Sequence, residues 1–134
     1  MFGLGLFKHK RKLTEELSSC FSPLKDELGN VPVDMQFDAA INGAVIQICE
    51  AYMREKGVQK AFSKAAIIDA VFEEIYRRES INVQMRVDVW QENDDAMFRQ
   101  GQTQAERFSQ HAQRLQWLTD YSQEHFEQAN NLML

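Results

Sequence analysis

From Asp95 to Leu134 no proline interrupts the chain, and apolar or small residues recur there at alternating three- and four-residue steps. The series runs Phe98, Gly101, Ala105, Phe108, Ala112, Leu115, Thr119, Ser122, Phe126, Ala129 and Met133. That period fits one face of a long α-helix and fits neither a strand nor a loop. Asn93, Asp94 and Asp95 supply a cap and first-turn acids at its start. Small residues let a neighbouring helix approach closely, and the phenylalanines fill the gaps between them. The segment Phe98, Gly101, Ala105, Phe108, Ala112, Leu115 and Phe126 is therefore expected to be a helix–helix interface. Its partner is a second copy, giving a homo-oligomer (a dimer), or another protein.

Two further segments repeat with helical spacing. Phe37, Ile41, Ala44, Val45, Ile48, Tyr52 and Met53 form one stripe, capped by Asp34 or Asp38 and stopped by Gly57. Phe62, Ala65, Ala66, Ile68, Phe72, Ile75 and Tyr76 form a second, which Ile67 and Val71 widen. Joined by a short polar turn, the two are expected to make an antiparallel helical hairpin. Upstream, Thr14 caps a short helix ending near Phe21. Ser22-Pro23 then opens another, which Gly29-Asn30 and Pro32 stop. The fold class is all-α: a helical bundle with a central antiparallel helical hairpin and a long C-terminal helix.

Residues 81–90 carry two readings. Ile81, Val83, Met85, Val87 and Val89 alternate with polar residues, as in a strand. Residues 31–37 also alternate, so a short β-ribbon from 31–37 and 81–90 is an alternative, weakened by the missing donor of Pro32. A helix over the same residues puts Val83, Val87 and Trp90 on one face. Helix is preferred, because everything around the segment is helical.

A chain of 134 residues is one domain's worth. Two cysteines outside any CxxC pair make no disulfide scaffold, and both read as small hydrophobes. The charge of −5 is uneven, because Lys8, Lys10, Arg11 and Lys12 place four of the fifteen positive charges within five residues. The acidic remainder argues against a nucleic-acid partner. Residues 1–12 read as a flexible apolar and basic arm on a single helical domain, 13–134. In that arm Phe2, Leu4, Leu6 and Phe7 precede Lys8, Lys10, Arg11 and Lys12. Apolar anchors beside cations suit contact with an anionic membrane surface. No apolar run is long enough to span a bilayer, so the expected location is cytoplasmic, at most peripheral to the inner face of a membrane.

No phosphate-binding loop, zinc spacing, HExxH or GxSxG occurs. His111 and His125, fourteen residues apart, sit about 21 Å apart on one helix and cannot share a metal. Glu73 with Arg77 and Glu74 with Arg78 read as helix-surface pairs. No cofactor or metal is expected and no enzymatic activity. The expected function is a non-enzymatic protein-interaction or oligomerisation module. The alternative is a small-ligand-binding or regulatory domain with a pocket between helices lined by Tyr52, Trp90 and Trp117.

Overall fold

A computed structural model describes the chain from residue 2 to residue 128, and its side chains from residue 5. Six α-helices carry the fold among these residues: α1 (Phe2–Cys20), α2 (Ala39–Glu55), α3 (Ala61–Tyr76), α4 (Ser80–Glu92), α5 (Ala96–Glu106) and α6 (His111–His125). The all-α helical bundle is as the periodicities imply, and the described residues contain no strand. Residues 81–90 lie in α4, while 33–37 form a turn of 3-10 helix, so the alternative β-ribbon is not formed.

α2 is the centre. Asp38 caps it, accepting from the Ile41 amide at 2.8 Å. Gly57, at φ +73°, closes its other end. The Val58 amide donates to the Met53 carbonyl and the Gly57 amide to that of Arg54, the paired bonds of a left-handed C-terminal cap. Thirteen of its seventeen residues are buried, so it is apolar on every side and surrounded. α5 is its main cover, and α6, α3 and α4 complete the wrapping. α3 packs chiefly on α1 rather than on α2, so the two consecutive helices are neighbours without being each other's principal partner. That shift rotates the core face of α3 to Ile67, Val71, Phe72 and Ile75 and leaves Phe62 82% exposed.

The α2–α5 contact is built on glycine. A Cβ added at Gly43 would lie 2.2 Å from the Phe98 carbonyl oxygen. One added at Gly101 would lie 1.9 Å from that of Ala40. Backbone therefore meets backbone, at a distance only these residues permit. Asp95 starts α5 by accepting from the Met97 and Phe98 amides, both at 3.0 Å.

Two helices depart from the sequence expectation. α1 starts at Phe2 rather than at a Thr14 cap, because Leu6, Leu13, Leu17 and Cys20 continue one stripe that packs mainly on α3. Its first turn holds no acid and its last turn no base, so no terminal charge favours its dipole, and packing holds it. Thr14 sits mid-helix with its hydroxyl oxygen buried and unpaired. The expected helix after Ser22-Pro23 shrinks to a single 3-10 turn, Ser22–Leu24.

The expected long C-terminal helix is two helices with a corner at 107–110. Neither glycine nor proline marks that corner. Instead the Arg114 guanidinium turns back from α6 and donates to the carbonyls of Phe108 (Nε, 2.9 Å) and Ser109 (Nη2, 3.2 Å). It also pairs with Glu55 at the end of α2 (Nη1, 2.7 Å). In a continuous helix those carbonyls would take amides four residues on. Here a buried arginine replaces them and folds α6 back against α1 and α2.

Candidate functional site

The first turns of α1 meet the turn between α2 and α3. Leu6 and His9, with Gly57, Val58, Gln59, Lys60, Phe62 and Ser63, line an open groove of about 530 Å³. His9 Nδ1 and Tyr52 Oη share a hydrogen bond of 3.2 Å, tying the two regions together. Phe7 (57%) and Phe62 (82%) project into solvent. Around them Lys8, Arg11, Lys12, Arg54, Lys56 and Lys60 are exposed.

The charge is strongly segregated. Residues 6–12 and 53–64 hold eight of the fifteen basic residues and one of the twenty acidic ones, Glu55. The rest, seven basic against nineteen acidic, carries −12. Three nearby features temper this end, the first being the pairing of Lys64 with Glu50 at 3.1 Å. Arg11 pairs with Glu15 at 3.1 Å, a mostly exposed contact of little energy. Glu73 and Glu74 border Lys10 and Arg11 across a shallow groove on the α3 flank. The end nonetheless remains a positive pole on an acidic body.

Behind it lies a polar cluster drawn from three helices. The Tyr52 ring, 1% exposed as a residue, is 5.0 Å from the His111 ring, and His111 Nε2 is 3.1 Å from Glu16 Oε1. Burial raises the Tyr52 pKa, and the Glu16 carboxylate adds to the shift. The hydrogen bond from Arg114 lowers that of Glu55. Among the described residues, no group of three or more His, Cys, Asp or Glu is placed to hold a metal ion. Nor is any helix there long and apolar enough to cross a membrane. The cluster ties α1, α2 and α6 together through side chains 43 and 95 residues apart in sequence, which no local motif could reveal.

The residues singled out by sequence are scattered. Phe98, Gly101 and Ala105 are buried in this chain's own core. Phe108 is half-buried beside Trp117, ring centroids 6.2 Å apart. Ala112 is exposed, and Leu115 and Phe126 pack partly on the core. The heptad-like series is thus not one surface, and Ala129 and Met133 lie outside the described residues. Tyr52, Trp90 and Trp117 do not converge. Tyr52 faces α1 and α6, Trp90 meets Phe98 at 6.2 Å, and Trp117 meets Phe108 and Tyr121. Of the arm, Leu6, Phe7, Lys8, Lys10, Arg11 and Lys12 fall at the basic end, while the Phe2 and Leu4 side chains lie outside the described part. Sequence reading placed Phe62 in an apolar stripe of α3 and passed over the basic residues 54–64, which become part of the site only because α1 lies beside them.

Comparison with protein-family models, with curated proteins and with solved structures returned no match.

Proposed function

We propose that this protein is a non-enzymatic interaction module that docks its basic, aromatic end on an anionic membrane surface. The observation that carries the reading is the charge segregation. Leu6 and His9, on the basic tract of α1, line one groove with Lys60 and the exposed Phe62 of the α2–α3 turn. The exposed Phe7 lies beside Lys10 and Arg11 on the α3 flank. Each Lys or Arg near an anionic leaflet contributes about 1 kcal/mol, and the attraction decays within a Debye length. A phenylalanine that enters the interface adds about 1.5–3 kcal/mol of apolar burial. Several such terms hold a protein reversibly, without the near-permanence of a spanning helix. The acidic remainder keeps the rest of the molecule off the surface and so orients the docked protein. An anionic leaflet of this kind faces the cytoplasm.

Co-sedimentation with vesicles tests this. The protein is expected to pellet with phosphatidylserine-containing vesicles, less so as salt rises, and not with pure phosphatidylcholine. Reversing two charges, Lys8→Glu with Lys12→Glu, changes the net charge by four and should weaken binding by about 1000-fold, from the same per-charge attraction. Equal binding to neutral vesicles, or none to anionic ones, overturns the reading. Tighter binding to duplex DNA than to the vesicles would replace it with a polyanion site.

A further inference from the structure

A different surface, on α4, is apolar and exposed. The alternation in residues 81–90 gives this helix two apolar faces. Val83 and Val87 are buried in the core, while Ile81, Met85 and Val89 are 68%, 61% and 52% exposed. At one hundred degrees per residue those three, four residues apart, form a single outward stripe. Phe37, 58% exposed, lies beside it with the Arg86 guanidinium 4.1 Å over its ring. Nothing within the described chain covers the stripe.

The stripe is complementary to itself. Under a two-fold axis through Met85 with the helices antiparallel, Ile81 of each copy faces Val89 of the other. Arg78, exposed in the 3-10 turn Arg77–Glu79 that leads into α4, then comes opposite exposed Glu92 at the far end of the partner helix, and Asn82 faces Asp88. A parallel two-fold pairing would instead oppose Arg78 to Arg78 and Glu92 to Glu92, juxtaposing like charges. We infer that α4 pairs antiparallel with α4 of a second copy of this chain, centred on Met85. Each copy offers on the order of 300 Å² of apolar surface, well short of the ~800 Å² per partner of a stable complex. The dimer is therefore weak and concentration-dependent, and shared isologous contacts close it at two.

Sedimentation velocity from micromolar to millimolar protein, in solution without lipid, reads this independently of membrane docking. The expected result is a monomer–dimer equilibrium. Arg78→Glu and Glu92→Arg should each weaken association about tenfold, and the double variant should restore it. Circular dichroism should be the same for all four proteins, because both positions are exposed. In Met85→Cys, oxidation should trap a disulfide dimer across the axis, since the native Cys20 and Cys49 are buried. A strictly monomeric wild type overturns the inference. So does a double variant as weak as either single one, which would mean that the stripe serves some other partner.

Discussion

α2 and α4 are both apolar on more than one side, and they end in opposite situations. α2 is enclosed by the helices around it, and its Tyr52, Ile41 and Met53 are almost wholly hidden. α4 buries Val83 and Val87 and leaves Ile81, Met85 and Val89 in solvent. An apolar surplus around a helix states only that something must cover it. For α2 the cover comes from the same chain, at a distance set by glycine. For α4 the described residues supply none on the side of Ile81, Met85 and Val89.

Three substitutions test that difference. The largest effect should come from Arg114→Met, which removes the donors to the Phe108 and Ser109 carbonyls and unpairs Glu55. The cost should be about 3–4 kcal/mol by chemical denaturation, because α6 loses the corner that returns it to α2. The same variant should weaken an acid-side dependence. The Glu55 pKa is lowered in the fold, so its contribution is complete above the ordinary value of 4.5 and decays as pH falls through the lower folded value. Wild type should show that acid limb, and in Arg114→Met it should be shallower, because Arg114 is the largest of the groups that lower the Glu55 pKa.

Next in size is Gly101→Ala, whose methyl collides with the Ala40 carbonyl and must push α5 away from α2. A loss of about 2–3 kcal/mol is expected, although alanine is the better helix former by about 1 kcal/mol. If the variant proved more stable than wild type, the close contact would not exist. The smallest effect belongs to α4. Met85→Gln should change the stability of dilute protein by under about 0.5 kcal/mol, since that side chain touches little of its own core. A large loss there would mean the stripe is already covered.

Much of this was legible in the residues. Asp38, Asp95 and Gly57 mark helix ends by side-chain capping and left-handed backbone, which are local effects and so visible locally. The close-packing character of Gly101 and Ala105 was legible too. Their partner was not, because periodicity identifies a face and is silent about what meets it. α2 therefore takes the place of a second chain. The corner at 107–110 had no sequence signal, since an arginine seven residues past Arg107 makes it through tertiary contacts. At the basic end, Lys8 to Lys12 stood out as a run. Arg54, Lys56 and Lys60 did not, because only folding sets them beside it.

The glycine-lined meeting of α2 and α5 also bears on how the chain is made. α2 is complete when Glu55 has been added, but its closest cover is not finished until Glu106. At about 5–20 residues per second, the most deeply buried helix waits roughly 3–10 s on the ribosome for its cover. During that interval a ridge with almost no side-chain bulk at Ala40, Gly43 and Ala44 is open to any other small-residue helix. The nascent chain, more than the finished protein, is where this molecule is most exposed to the wrong partner.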